Sequence, residues 1–356
     1  SGDGEKYSFR RNNSYESVGK ECIAVRERVG LLDLTCFAKY EIEGSDAETF
    51  LKRICANHIP KREGGVALVH MLTELGGIEC ESTITRIDEN KYYALSGAIA
   101  EIHDYDWLVQ HILPDEKVSV RNVTDEYGVL VLSGPRSRDL LSKLTDADLS
   151  NADFPWLKGK KIYVAGIKTL ALRVSYVGEL GWELHIPMQN VAELYETLMD
   201  KGSKFGISNF GTYAMNSLRM EKAYKGWGSE LTTEITPIEA GLERFVDFNK
   251  PFIGREATLS RKLLGINTKL VYTEVDADDT DCLGNEPVLN GEQIIGVTTS
   301  GAYGHSVKKS LAFAYVEPQY ANSGTNFEIR ILGQRRSATV LHEAAYDPQN
   351  LRLKDI

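Results

Sequence analysis

The stretch "LALRVSYVGELGWELHIP", residues 170–187, places Glu179 and Glu183 among aromatic and apolar neighbours. Carboxylates are expensive to bury and rarely stand in a strand without a partner. "LALRVSYV" alternates like a strand and "WELHIP" continues in the same way. The segment "GELG", residues 178–181, therefore predicts a short hairpin loop. In that register Tyr176 faces Glu183 and Val177 faces Trp182, because cross-strand partners share a face. Glu179 sits at the tip. An ionised carboxylate offers acceptor oxygens and no donor. An arginine satisfies it, with Arg219 in reach and Arg173 on the other face by parity. A flat heterocycle with an amino group beside a ring N–H satisfies it equally, and the ring of Tyr176 suits such a ligand. The residues alone leave both partners open.

Two further stretches carry chemistry. In "GGIECESTITR", residues 76–86, strand parity puts Glu79, Glu81, Thr83 and Thr85 on one face and Ile78, Cys80, Ser82 and Ile84 on the other. That polar face is a solvated edge or a carboxylate held beside a reacting amine, with Tyr93 of the next strand able to join it. In "NSLRMEKAYKGWG", residues 216–228, Arg219, Lys222 and Lys225 cluster near a helix end. They pair with Glu221 and Glu230, or they receive an anionic tail. Trp227, flanked by glycines, reads as a plug or a ligand contact.

Around these stretches the chain alternates helical and strand patterns. "SYESVGKECIAVRERVG" predicts a helix from Ser14 to a stop at Gly30. "SDAETFLKRIC" predicts another, with a capping box between Ser45 and Glu48. Residues 66–97 read as a strand meander. From about Leu270 short strands punctuated by Gly and Asn predict a β-rich C-terminal unit.

Composition narrows the function classes. A chain of 356 residues is long enough for more than one core. The net charge of −10 argues against general nucleic-acid binding. No apolar run is long enough for a membrane span, and the N-terminal stretch lacks the apolar core of a secretion signal. Five scattered cysteines with no CxxC predict neither a disulfide framework nor a zinc site, and no metal is expected. His103, Asp104 and Asp106 read as a solvated helix face. Dinucleotide, phosphate-loop and nucleophile-elbow signatures do not occur.

At the quoted residues the chain resembles the glycine-cleavage aminomethyltransferase (T-protein) family. "GGIECESTITR", "LSGPRSRDLL", "NSLRMEKAYKGWG", "YVGELGWELHIP" and "TPIEAGL" are the motifs that carry the likeness, which runs from about Ser14 to Leu341. "CANHIPK" and "TTSGAYGHSVKKSLAFAYV" are similar to the folate-binding C-terminal half of the dimethylglycine dehydrogenase branch. The resemblance implies an α+β fold, a three-domain cloverleaf with a barrel-like C-terminal domain. The units expected are 10–58 plus 155–250, then 59–154, then 255–356. It implies a central tetrahydrofolate cavity, with Tyr176 and Glu183 on the pterin and Thr83 and Tyr93 lining the site. Glu179, Arg219 and Trp227 are further expected folate contacts. Glu81 falls where the family has its catalytic carboxylate, an Asp in the aminomethyltransferases and a Glu in the dehydrogenase branch. The implied reaction forms 5,10-methylenetetrahydrofolate from the methyl carbon of an N-methylated glycine. A stand-alone aminomethyl- or methyltransferase and a non-catalytic folate-binding module are the alternatives. FAD is implied only if a flavin-binding domain or subunit accompanies the chain. The partners implied are folate and a one-carbon donor, and the compartment a mitochondrial matrix or bacterial cytoplasm.

Overall fold

The computed structural model describes residue 4 and residues 6–355. Its strands are β1 (Val29–Asp33), β2 (Ala38–Glu43), β3 (Val66–Leu72), β4 (Ile78–Asp88), β5 (Lys91–Ser96), β6 (Ser119–Asn122), β7 (Tyr127–Ser133), β8 (Gly159–Val164), β9 (Ile167–Leu172), β10 (Gly181–Pro187) and β11 (Ile207–Asn209). Beyond them come β12 (Lys269–Val275), β13 (Pro287–Asn290), β14 (Gln293–Gly304), β15 (Lys309–Val316), β16 (Asn326–Ile331) and β17 (Gln334–Val340). A six-stranded sheet has the order β11-β1-β7-β10-β9-β8 and a five-stranded sheet the order β3-β4-β5-β2-β6. Strands β12 to β17 close into a barrel, so the expected α+β fold with a C-terminal barrel is the fold observed.

Strand membership departs from the expected unit boundaries. β2 pairs with β5 and β6, and Phe50, Leu51 and Ile54 of the helix Ala47–Ile54 share a core with Tyr40, Ile84 and Tyr92. Both elements thus leave the unit 10–58 for the five-stranded sheet. β7 pairs with β1 and β10, so it leaves the unit 59–154 for the six-stranded sheet. Long-range pairing sets these crossings, and local composition does not encode it. We propose 38–122 as the inserted unit, flanked by 10–37 and 123–250, with 255–356 as the barrel unit.

Local departures have local causes. The helix Tyr15–Glu27 starts after Ser14 but stops before Gly30, because Val29 and Leu31 are claimed as β1 by the core of the six-stranded sheet. The capping box at Ser45 does not form. Asp46 is the cap residue, and Glu48 pairs with Lys52 and Arg86 instead.

The alternation of β10 positions the site. Trp182, Leu184 and Ile186 are buried with Phe154, and with Leu194 and Leu198 of the helix Val191–Gly202. Each such side chain contributes about 1.5–3 kcal/mol on burial. A slip of one residue would expose all three, so the register is fixed and Glu183 and His185 are forced onto the opposite face. That face meets the five-stranded sheet. The helix Thr212–Glu221 docks on the barrel, where the Ser217 hydroxyl donates to the Tyr303 carbonyl at 2.6 Å and Arg219 Nη2 to Ser300 Oγ at 2.9 Å.

Candidate functional site

A cavity of about 310 Å³ lies where the two sheets and the segment after the helix Thr212–Glu221 converge. Small-molecule sites start at about this size. β3 supplies Val66 and Leu68, β4 supplies Glu81 and Thr83, and β10 supplies Glu183. The β9–β10 connection supplies Val174, Ser175 and Tyr176, and the remaining wall holds Lys225, Arg244 and Phe245 among others.

The pairing register corrects the predicted hairpin. Glu183 lies opposite Leu172, so residues 173–180 form the connection and Tyr176 is not a strand partner of Glu183. Tyr176 reaches the cavity by another route. Its hydroxyl donates to the Lys225 carbonyl at 3.0 Å, and its ring lies 6.1 Å from that of Tyr224 at 27°. Burial pushes the Tyr176 phenol well above its ordinary value. With the hydroxyl committed, the residue offers its ring to a ligand. Gly178 turns the connection at φ +79, and a Cβ there would stand 2.4 Å from the stem of Lys222.

β4 alternates as the sequence predicts: Ile78, Cys80, Ser82 and Ile84 are buried, while Glu79, Glu81 and Thr83 are half-buried on the other face. Thr85 departs from that pattern and is fully buried, because Gly159 and Tyr93 cover it. The Glu81 side chain is 19% exposed and Oε2 lies 2.8 Å from His70 Nε2. Glu183 forms no ion pair with Lys or Arg among the described residues; its neighbour is His185, whose Nε2 lies 3.4 Å from Oε2. The arginine partner left open by the sequence is therefore absent. Arg173 instead donates to the carbonyls of Phe154 at 2.6 Å and Lys354 at 3.0 Å.

Tyr93 stands behind the cavity rather than on its wall. It is 4% exposed and its hydroxyl lies 3.1 Å from His185 Nδ1. Burial first, then Tyr127 and Glu183, push this phenol well above its ordinary value, so it stays a donor. With the Tyr93 O–H donating to Nδ1, His185 carries its hydrogen on Nε2, directed at Glu183.

Three expected folate contacts fall elsewhere. Glu179 is fully buried and bound by Arg26 Nη1 at 3.3 Å, the Tyr346 hydroxyl at 2.6 Å and Arg352 Nε at 3.4 Å. It ties the β9–β10 connection to the C-terminal segment. Arg219 is buried and donates to Glu230 Oε2 at 3.1 Å and to the Tyr224 carbonyl at 3.0 Å, so it braces the Lys225 segment from behind. Trp227 donates Nε1–H to the Glu79 carbonyl at 2.9 Å and packs 5.8 Å from the His103 ring. All three, which the resemblance implied as folate contacts, have their polar groups satisfied within the protein, and Arg219 takes the Glu230 partner that the sequence had left open.

The expected solvated helix face is seen at His103 and Asp106, which are exposed, and departs at one position. Asp104 is buried, and His103 bridges it at 2.9 Å to Glu79 at 2.8 Å. Cys80, His103 and Asp104 bring ligand-type atoms within 4.8 Å of one another. Burial and Asp104 push the Cys80 thiol well above its ordinary value, and the observed partners satisfy the group as it stands.

Sequence reasoning missed His70, His185, Arg244 and Asn350. Counting back from the turn, where Leu72 faces Ile78, would set His70 opposite Cys80; a bulge between Met71 and Leu72 shifts it onto Glu81, and nothing local signals that bulge. Arg244 and Asn350 arrive by tertiary folding and carry no local signal.

Comparisons with known proteins give the family and the fold. The family model "GCVT N-terminal domain" matches residues 4–250, and "Glycine cleavage T-protein C-terminal barrel domain" matches residues 268–347. The chain belongs to the glycine-cleavage T-protein, or aminomethyltransferase, family. It is 42% identical over 352 residues to the mitochondrial dimethylglycine dehydrogenase of Rattus norvegicus, covering 98% of this chain and 41% of that protein. It is 32% identical over 334 residues to the aminomethyltransferase of Caldanaerobacter subterraneus subsp. tengcongensis, covering 93% and 88%. The crystal structure of glycine cleavage system aminomethyltransferase T from Bartonella henselae shares the fold, with a TM-score of 0.85 at 23% identity over 97% of this chain and 94% of that one. The chain spans about two fifths of the dimethylglycine dehydrogenase it matches. Among the described residues no helix is long and apolar enough to cross a membrane.

Proposed function

We propose that this chain carries out tetrahydrofolate-dependent one-carbon transfer, forming 5,10-methylenetetrahydrofolate from the methyl carbon of an N-methylated glycine. One observation carries the reading. Glu81 and Glu183 face one cavity from different sheets, and Glu183 is ion-paired with no Lys or Arg among the described residues. A cavity carboxylate without such a pair suits a donor edge, and the pterin of tetrahydrofolate presents an amino group beside a ring N–H. The ring of Tyr176 and the apolar walls at Leu157, Leu242 and Phe245 suit its flat body. Lys225 and Arg244 suit the carboxylates of its glutamate tail.

When bound, tetrahydrofolate supplies the amines that capture a carbon at the oxidation level of formaldehyde. Glu183 orients the ring through two accepted hydrogen bonds. Glu81 sits against the other end, where it holds a proton in transit and stabilises developing positive charge. The apolar walls exclude water. In this reading a flavin-binding domain or subunit delivers the carbon, and FAD belongs to that partner. A mitochondrial matrix or bacterial cytoplasm is the proposed setting.

Stand-alone aminomethyl transfer is the second reading. It is favoured by the match to a bacterial aminomethyltransferase over most of that protein's length. The glutamate at position 81, where the resemblance expects aspartate in that branch, weighs toward the first.

Condensation of carbon-13 formaldehyde with tetrahydrofolate, followed by NMR above the uncatalysed background, tests the role of Glu81. Glu81→Gln should lower the catalysed rate by about a hundredfold or more while folate still binds. An unchanged rate would reduce the chain to a folate-binding module.

A further inference from the structure

We propose that His70 is the positioning residue for Glu81, holding Oε2 so that Oε1 alone is presented to the cavity. The inference rests on the reading of Glu81 as the reacting carboxylate.

The strand register makes the pair. His70 of β3 lies directly opposite Glu81 of β4, so both side chains stand on the same face of the five-stranded sheet. Val66 and Leu68 precede His70 on that face and line the cavity, whereas His70 is 1% exposed and lies beneath its floor. Its Nε2 is 2.8 Å from Glu81 Oε2, and this is the hydrogen bond recorded for Glu81 among the described residues. The ring of Phe245, itself a cavity wall, packs edge-on against the imidazole at 5.7 Å and 78°.

The far nitrogen decides what His70 can do. Nδ1 is buried and has no hydrogen-bond partner among the described residues. A hydrogen placed there would be a buried N–H with nothing to receive it, which is costlier than a bare acceptor. The hydrogen therefore sits on Nε2 and is donated to Glu81. His70 also has no onward path for a proton, so it is a fixed donor and not a relay. The titratable groups that share the cavity with Glu81 are Glu183 and Tyr176 from β10 and its connection, Tyr224 and Lys225 from the segment after the helix Thr212–Glu221, and Arg244. None of them is bonded to Glu81, so His70 is the group that sets its orientation.

This explains how a glutamate serves at the position. Glutamate has one more rotatable bond than aspartate, and reacting groups must be held within about half an ångström of their working place. A rigid, buried donor on the neighbouring strand restores the definition that the longer side chain loses. The link is of the same kind as the outer contacts that orient metal-binding histidines.

The test compares His70→Leu, which keeps apolar bulk, with His70→Gln, which returns an amide N–H near the position of Nε2. In formaldehyde–tetrahydrofolate condensation, His70→Leu should lower kcat by about tenfold to a hundredfold. KM for tetrahydrofolate should stay within about twofold, and His70→Gln should recover most of the turnover. Nitrogen-15 NMR of the wild-type histidines, without folate, should show His70 as the Nε2–H tautomer. Wild-type turnover in His70→Leu beside an inactive Glu81→Gln overturns this inference alone. So does a glutamine variant as slow as the leucine one, or an Nδ1–H tautomer. A fully active Glu81→Gln instead overturns the reading on which the inference rests.

Discussion

The hydroxyl of Tyr176 donates to the backbone carbonyl of Lys225 at 3.0 Å, joining the β9–β10 connection to the segment after the helix Thr212–Glu221. One contact therefore fixes both the ring wall and the cation of the cavity. Arg219 holds the same segment from the other side through the Tyr224 carbonyl.

Lys225 is held in the cavity against its own preference. Burial, then Arg244, lower its ammonium below the ordinary value of 10.5. A base with a lowered folded pKa penalises the native state below that pKa, and the penalty fades as pH rises toward the unfolded value. Lys225→Met should make the ligand-free protein more stable at neutral pH, with the gain shrinking as pH climbs toward 10.5. The same variant should bind tetrahydrofolate roughly tenfold more weakly. Denaturant melts at several pH values and a titration check the two halves independently.

Glu179 should behave as a structural carboxylate. Removing its charge leaves the buried Arg26 and the more exposed Arg352 each short of a partner. Glu179→Gln should cost about 1–3 kcal/mol of stability. Tetrahydrofolate affinity of the folded protein should stay within about twofold. A large affinity loss at unchanged stability would return Glu179 to the ligand site.

Trp227→Phe keeps the ring beside His103 and removes the donor to the Glu79 carbonyl. It should lower the melting temperature slightly, since one neutral hydrogen bond is worth about 1 kcal/mol. Folate affinity should not change. Tryptophan fluorescence of the wild type should respond to folate through Trp156, which lines the cavity, and the response should persist in Trp227→Phe.

Much of the site was legible where a local period carries it. The β4 alternation set Glu81 and Thr83 together, and Trp182, Leu184 and Ile186 fixed the facing of Glu183. The hairpin register was misleading, because Val177 and Leu180 are buried in the connection and imitate a continuing strand. Tyr176 met Glu183 in the cavity although their predicted pairing was wrong. The Glu230 partner of Arg219 lies only eleven residues on and was one of the readings left open. Glu179, by contrast, looks like a spare charge in the sequence, since its partners Arg26 and Tyr346 lie far away along the chain. Strand pairing crosses the expected unit boundaries for the same reason. The sheets of β2, which alternates with charged residues, and of the apolar β7 are chosen by distant partners.

The most direct test of the central claim is calorimetric titration of tetrahydrofolate into the wild type and Glu183→Gln, with melting temperatures measured alongside. A ligand that binds only the native state stabilises it by about 2.7 kcal/mol at a hundred times its Kd. The wild type should bind and melt higher with folate. Glu183→Gln should melt unchanged without folate and lose about tenfold to a hundredfold in affinity, since its amide sets an N–H₂ against the pterin's donors. Wild-type affinity in Glu183→Gln, or no binding by the wild type, would contradict the assignment of this cavity to the pterin.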